Sequence, residues 1–157
     1  MPRALQGILL LGLIQGLIYT FIIPPWWHND EPTHFEYAWL AANKSNWPVE
    51  GDYDVEMRRA LATSMVKHGY YDLYRVLPDL TKNGPIYIGA SQLADPPIYY
   101  WIASLPLHLI KNAGFDFQNR VLRLVSVAMF WGCYISPGRS QKKSLERDIP
   151  CNGCPRS

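Results

Sequence analysis

The sequence predicts an all-α protein, specifically a helical integral membrane protein with two amphipathic interfacial helices in its first outer loop. Apolar residues make up 48% of the 157 residues, yet the mean hydropathy is only −0.11, so the apolar residues are concentrated rather than spread. They form three runs, 4–23, 98–111 and 121–135, and the stretch 24–97 is polar and rich in aromatic residues. The net charge of +2 is too small and too scattered to indicate nucleic-acid binding.

The first run, residues 4–23, contains no charged residue. At 1.5 Å per residue it covers the hydrocarbon core of a bilayer, which is about 30 Å thick. A cleaved signal peptide, the competing interpretation, would have a shorter apolar region that ends in small residues. This run ends instead at two prolines and the pair Trp26-Trp27, and paired tryptophans are typical of a membrane interface. Arg3 places the N-terminus in the cytoplasm, so residues 24–97 are predicted to lie outside it, at the plasma (inner) membrane.

Two helices are predicted within the loop 24–97. The first begins at Asp30-Glu31-Pro32, a typical helix start, and carries an apolar face. That face consists of Phe35, Ala38, Trp39 and Ala42. The second runs from about residue 53 to 76, and Gly69 is a candidate break within it. One side of this helix carries Met57, Ala60, Leu61, Ser64, Met65 and His68. We expect both helices to lie in the membrane interface; the alternative is that they pack against a soluble core.

The second and third runs, 98–111 and 121–135, predict two further crossings. The second is short for a span and is expected to be tilted or kinked. Lys111, Arg120 and Arg123 make the connection between the two runs basic, which is typical of the cytoplasmic side.

The third run stops early, at Ser136-Pro137-Gly138-Arg139, and residues 136–157 are polar, basic and without pattern. If the third helix crosses outward, this basic tail lies on the wrong side for the positive-inside rule. Either the third helix does not insert, or the tail is not the natural continuation. The sequence favours a truncation or a reading-frame change near residues 132–136. The three cysteines, Cys133, Cys151 and Cys154, predict neither a disulfide framework nor a structural zinc site.

The densest polar cluster, residues 28–37, directly follows the first run. Asp30 and Glu31 are well placed to act on a lipid-linked substrate, and a carboxylate there can take a proton from an acceptor hydroxyl. His28 and His34, with the acids between them, are alternatively a site for a divalent metal ion. A third interpretation is that the two acids only cap a helix N-terminus.

Three motifs resemble those of GT-C-type membrane glycosyltransferases, which include protein mannosyltransferases and aminoarabinose transferases. The first is Asp30-Glu31-x-x-His34-Phe35 after the first membrane helix. The second is the segment 95–101, Asp-Pro-Pro-Ile-Tyr-Tyr-Trp, similar to the family's "PPLYYW". The third is the segment 120–126, similar to the family's "R-L-x-S" helix start. The motifs occur in the family's order and cover most of residues 5–132.

The resemblance implies transfer of a sugar from a polyprenyl-phosphate donor to an acceptor at the outer membrane face. Asp30 is then the catalytic base, and Glu31 positions the acceptor or a divalent metal ion. The implied substrate-binding residues are His34, Asp95, Tyr99 and Tyr100. The partners are membrane lipid and the polyprenyl-phosphate-linked sugar.

Such enzymes have nine or more membrane helices, and this chain has at most three apolar runs. Because positioning supplies much of an enzyme's rate enhancement, we expect this chain alone to have little transferase activity. The competing hypothesis is a small non-enzymatic membrane protein whose aromatic outer loop binds a partner or a saccharide.

Overall fold

The computed structural model describes residues 3–73, 75–81, 84 and 86–135. Within these ranges the chain is helical and contains no strand, which confirms the predicted all-α class. The helices are α1 (Arg3–Phe21), α2 (Glu31–Asn43), α3 (Val55–Lys67), a 3₁₀ helix (Tyr70–Leu73), α4 (Ile98–Ile110) and α5 (Phe115–Ile135). The predicted tail 136–157, with Cys151 and Cys154, lies outside the described residues.

Helix α1 has 19 residues, and among the described residues it is the one helix long and apolar enough to cross a membrane. Its length is about 28 Å. A signal sequence or a core helix of a soluble protein would pass the same test of length and composition. Most of the side chains of α1 are exposed, however, and only Leu9 and Thr20 are buried.

Helices α1 and α5 pack side by side in opposite directions. Residue 12 of α1 faces Phe130, residue 16 faces Val127, and Ile23, just after α1, accepts a hydrogen bond from Arg123. The glycines at 12 and 16 allow this approach: a methyl group at position 16 would lie 2.8 Å from Cγ2 of Val127. Small residues one turn apart are a common basis for close helix packing.

Helix α2 lies in the centre of the core. The predicted apolar face is largely buried, but so are Glu36, Tyr37 and Leu40 on other sides of the helix. The prediction of a single apolar face was therefore too narrow, and the packing of α2 corresponds to the core alternative. The carboxylate of Glu36 can be buried because it forms an ion pair with Arg58 of α3, at 2.5 and 2.9 Å.

The tryptophan pair before α2 is divided between core and surface. Trp26 is fully buried, with a left-handed backbone (φ +65°), and its indole nitrogen donates to the hydroxyl of Ser64 at 2.8 Å. Trp27 is 63% exposed. The expectation that both tryptophans lie in a membrane interface was wrong for Trp26, because its ring packs edge-on against Phe35 in the core.

Helix α3 begins at Asp54, whose carboxylate accepts a hydrogen bond from the backbone of Met57 at 2.7 Å. It ends before Gly69, whose φ of +75° suits glycine. The prediction of one helix from 53 to 76 was too long, and Gly69 is the break. Of the residues that the sequence places on one side, Met57, Leu61 and Met65 are buried, whereas Ala60 is exposed; Ala62 is buried as well.

Helix α4 packs along α2 and buries Tyr100, Ala103 and Leu107. Its 13 residues span about 20 Å, short of the bilayer core of about 30 Å. Gln118 of α5 donates to carbonyls at the end of α4, at 2.7 Å from Ala113 and 3.2 Å from Lys111. The turn between α4 and α5 is thereby held close to the first turns of α5.

This turn lies at the same end of the α1–α5 pair as the loop 24–97. Phe115 packs against Phe35, and Asp116 accepts a hydrogen bond from Ser64. The sequence predicted instead that residues 98–111 cross the membrane. The basic connection after them would then lie on the side opposite to the loop 24–97. Arg120 and Arg123, assigned by the sequence to that connection, are part of α5 itself.

Candidate functional site

Glu31 and Arg123 form a buried ion pair between the first turn of α2 and the middle of α5. The guanidinium contacts both carboxylate oxygens, at 2.5 and 3.0 Å, and Asn119 donates to the same carboxylate at 3.0 Å. Only 11% of the Glu31 side chain and 5% of the Arg123 side chain are exposed. Such a two-bond pair fixes geometry as well as charge.

Arg123 also holds the end of α1. It donates to the backbone carbonyls of Tyr19, Ile23 and Pro24, at 3.1, 2.7 and 2.8 Å, and lies over the ring of Tyr19. The last carbonyls of a helix lack partners within the helix. A single guanidinium therefore joins α1, α2 and α5 at one point.

Asp30, the neighbour of Glu31, has a different environment. It precedes α2 as the cap residue, but its side chain makes no capping hydrogen bond. The carboxylate is 57% exposed and lies 3.7 Å from Nδ1 of His28 and 3.5 Å from Nε2 of His34. The side-chain cap, one of the interpretations of this acidic pair, is thus not made by Asp30.

A line of polar groups continues from Asp30 towards α4. Nδ1 of His34 lies 2.6 Å from the hydroxyl of Tyr100, and that hydroxyl donates to Asp95 over a longer distance of 3.4 Å. Burial first, and then the charge of Asp95, raise the pKa of Tyr100 above its ordinary value. Tyr37 stacks on Tyr100 with ring centroids 3.7 Å apart and fixes its ring.

A cavity of about 1020 Å³ brings the predicted site residues together. At its polar end it is lined by Asp30, Glu31, His34, Asp95, Tyr99 and Tyr100. Its other end runs between α1 and α5, where the lining is Gly12, Gly16, Leu122, Val127 and Phe130. Tyr99 connects the two parts, since its hydroxyl contacts that of Ser126 at 3.0 Å. The cavity is thus an apolar groove that ends at a cluster of titratable groups.

A second cavity, of about 600 Å³, lies on the loop side and also includes Asp30. Its other lining residues include Asn29, Thr33, Tyr70, Tyr71, Tyr87 and Gln92. Aromatic rings and amide groups of this kind suit a polar, hydroxyl-bearing ligand. Asp30 is the residue that the two cavities share.

The divalent metal ion remains an untested alternative. Within the described part of the chain, no group of three or more His, Cys, Asp and Glu side chains is arranged to hold an ion. His28, Asp30 and His34 are neighbours, but one carboxylate between two imidazoles is a sparse ligand set for Mg²⁺ or Mn²⁺, which prefer oxygen ligands.

Sequence reasoning found the cavity residues on α2 and α4 but missed those on α5. Arg123 was interpreted as a signal of membrane sidedness and as part of the segment 120–126, without a role in the site, and Asn119 was not singled out. The signal for Arg123 was available: it is a cation within a largely apolar helix, and such residues usually have a partner and a purpose.

Comparison with protein-family models, with curated proteins and with solved structures finds no match to this chain.

Proposed function

We propose that these helices form the N-terminal catalytic region of a membrane glycosyltransferase that uses a polyprenyl-phosphate-linked sugar. The observation that carries the proposal is the position of Asp30. Its carboxylate makes no capping bond, lies outside the Glu31–Arg123 ion pair, and borders both the apolar groove and the second cavity. A group in that position can meet a lipid-linked donor on one side and an acceptor hydroxyl on the other.

In the proposed reaction Asp30 takes the proton of the acceptor hydroxyl as the hydroxyl oxygen bonds to the anomeric carbon of the sugar. The bond between that carbon and the phosphate oxygen breaks, and the polyprenyl phosphate leaves with the bonding electrons. Attack opposite the leaving group inverts the configuration at the anomeric carbon. A carboxylate within hydrogen-bond reach of the hydroxyl suits the role of general base.

The lipid chain of the donor occupies the groove between α1 and α5. That groove is lined by apolar side chains and by Gly12 and Gly16. The sugar and phosphate then reach the polar end of the cavity, near His28 and His34. Glu31 serves to position α2 against α5, since both of its oxygens are engaged by Arg123.

In the proposed membrane arrangement α1 crosses outward and α5 returns beside it in the opposite direction. By its own composition α5 does not qualify as a span, but it packs on α1 and its Arg123 is paired with Glu31. Helices α2, α3 and α4 then lie together on the outer side, and α4 makes no crossing of its own. The chain leaves α5 on the side of the N-terminus. The basic residues that follow in the sequence, Arg139, Lys142, Lys143 and Arg147, then accord with the positive-inside rule.

Photo-crosslinking tests the donor site. The chain is reconstituted in nanodiscs with a polyprenyl phosphate that carries a diazirine in its isoprenoid chain. We expect labelling of α1 and α5 that excess unlabelled polyprenyl phosphate suppresses and phosphatidylglycerol does not. Gln15→Trp, in the groove, should abolish the suppressible labelling, whereas Gln6→Trp, on the same helix outside the cavity, should leave it intact. Equal labelling in both variants would contradict the proposal.

The second candidate, a non-enzymatic membrane protein that binds a saccharide or a partner through its loop, is favoured by one observation. The second cavity is aromatic, and its Tyr87 is 78% exposed. That hypothesis predicts saccharide binding that is lost in Tyr87→Ala and does not depend on polyprenyl phosphate.

A further inference from the structure

Four side chains form a continuous polar line from the cavity to the start of α4. Asp30 Oδ2 lies 3.5 Å from His34 Nε2, His34 Nδ1 lies 2.6 Å from the Tyr100 hydroxyl, and that hydroxyl lies 3.4 Å from Asp95 Oδ2. The two carboxylates are at the ends, and the imidazole and the phenol are between them. The first and last distances are longer than a good hydrogen bond, and the middle one is short.

The direction of the hydrogen bonds depends on whether Asp30 carries a proton. When Asp30 is ionised it only accepts, so Nε2–H of His34 donates to it and Nδ1 accepts from the Tyr100 hydroxyl. When Asp30 is protonated, the carboxyl donates to Nε2, Nδ1–H of His34 donates to the Tyr100 oxygen, and the Tyr100 hydroxyl donates to Asp95. In this second arrangement Nε2 carries no proton and points at Asp30 with a lone pair. This tautomer is ready to receive a proton from the Asp30 side.

We propose that the proton taken up by Asp30 during sugar transfer is passed through His34 and Tyr100 to Asp95. The inference deepens the proposed function and rests on it. Protonated Asp30 gives its proton to Nε2 of His34; His34 gives its Nδ1 proton to Tyr100, and Tyr100 gives its own hydroxyl proton to Asp95. No group gains or loses a net electron, Asp30 is again a carboxylate, and Asp95 holds the proton.

The position of Asp30 makes such a path useful. Asp30 borders both cavities, so with a donor in one and an acceptor in the other, His34 offers the proton a route that crosses neither ligand. Tyr100 keeps its proton at neutral pH, and burial and the charge of Asp95 raise its pKa further above the ordinary value. It can therefore pass a proton on only as it receives one, which makes the transfer concerted.

The charged and titratable groups near His34 limit the possible routes. Asp30 lies on the turn before α2, Tyr100 on α4, and Asp95 just before α4. Glu31, the next residue to Asp30, is engaged by Arg123 and Asn119. His28 approaches the other oxygen of Asp30, at 3.7 Å, and leads to solvent.

Nitrogen NMR of ¹⁵N-histidine-labelled chain in nanodiscs tests the path, because the two ring nitrogens report the tautomer of His34 directly. The quantity compared between variants is the ratio of the Nδ1–H form to the Nε2–H form. Asp95→Ala leaves His34 itself unchanged, yet it removes the acceptor of the Tyr100 proton. It should lower the Nδ1–H to Nε2–H ratio by about fivefold, the effect of one net hydrogen bond.

A double-variant comparison separates the path from simple packing. In a Tyr100→Phe background, Asp95→Ala should have no further effect on His34. Tyr99→Phe, which removes the neighbouring hydroxyl that bonds Ser126 rather than His34, is the matched control and should leave the ratio unchanged. An unchanged ratio in Asp95→Ala, or an effect that persists without the Tyr100 hydroxyl, would overturn the proposal.

Donor crosslinking on the same samples keeps the two proposals apart. If the variants show no coupling between Asp95 and His34 while donor crosslinking is intact, only the proton relay is refuted. Intact hydrogen-bond coupling without crosslinking refutes the glycosyl-transfer function, and with it the catalytic use of the relay.

Discussion

Two adjacent carboxylates, Asp30 and Glu31, have opposite tasks in this fold. Glu31 is buried against Arg123 and joins three helices, whereas Asp30 is exposed to both cavities and has only imidazoles nearby. Their sequence positions differ by one, but a helix start turns consecutive side chains about 100° apart, so one points into the protein and the other into the site.

Glu31→Gln and Asp30→Asn should therefore differ in stability. Removing one member of a buried ion pair leaves the other charge unpaired, so we expect Glu31→Gln to lose about 3 kcal/mol of unfolding free energy. Asp30→Asn should change it by less than about 0.5 kcal/mol, as for an ordinary surface substitution. Denaturant unfolding in detergent micelles, followed by circular dichroism, measures both. Equal losses of unfolding free energy in the two variants would contradict a structural role for Glu31 that Asp30 does not share.

At the scale of elements, the α1–α5 pair depends on glycine. A side chain at position 16 meets the branched Val127, which has little freedom to move. We expect Gly16→Leu to cost about 1–3 kcal/mol through overpacking and to reduce donor crosslinking.

The matched control for this substitution is Gly7→Leu on the same helix. A side chain at position 7 has no protein atom within 4 Å, so Gly7→Leu should leave the thermal midpoint nearly unchanged. If both variants lower the midpoint equally, the close contact between α1 and α5 is not the cause.

A second contact between elements, Asp116 with α3, should make stability depend on pH. Burial raises the pKa of Asp116, but hydrogen bonds from Ser64 and His68 and the charge of Lys67 outweigh it, so that its pKa lies below the usual 3.8. A carboxyl group whose pKa is lower in the folded state stabilises the fold above the unfolded-state value. That stabilisation is lost as the pH falls through the folded-state value.

Thermal unfolding between pH 3 and pH 7 checks this contribution. We expect Asp116→Asn to be less stable than the parent chain at pH 7, with the difference shrinking below about pH 4 as the parent loses its charge. Glu56→Gln, an exposed change on α3 outside this cluster, serves as the control and should follow the parent. A difference that stays constant across the range would exclude the ionised carboxyl as its source.

Some of these helices could be predicted from the sequence, and others could not. The helical class, the start of α2, the break at Gly69 and the site residues on α2 and α4 all follow from local patterns. The place of α4 does not, because an apolar run of thirteen residues fits a short span and a core helix equally well. Its burial against α2 depends on Tyr37 and Tyr100 meeting across 63 residues of sequence, and no local pattern encodes that contact.

At the scale of the whole molecule, the antiparallel packing of α1 and α5 determines which segments lie at the same end of this helix pair. The loop 24–97 and the α4–α5 turn lie at one end of the pair, and the start of α1 lies at the other. The Glu31–Arg123 pair and the Asp116 cluster hold this arrangement at two separate points.

Cysteine labelling distinguishes this arrangement from three successive crossings. In a background with the three native cysteines replaced, Asn112→Cys lies in the α4–α5 turn and Asn46→Cys lies in the loop; both positions are exposed. We expect an impermeant maleimide to label both in intact cells. If position 112 is labelled only after permeabilisation, the result would instead support a membrane crossing by residues 98–111.

The ion pair at the helix junction also has a consequence for biosynthesis. Glu31 leaves the ribosome about ninety residues before Arg123, so the nascent chain carries a carboxylate beside its first apolar helix with no counter-ion. The guanidinium arrives within a helix that is itself poorly suited to lipid until that charge is neutralised. In the proposed membrane arrangement, insertion of the later helix then depends on prior export of the acidic segment, where Glu31 can neutralise Arg123.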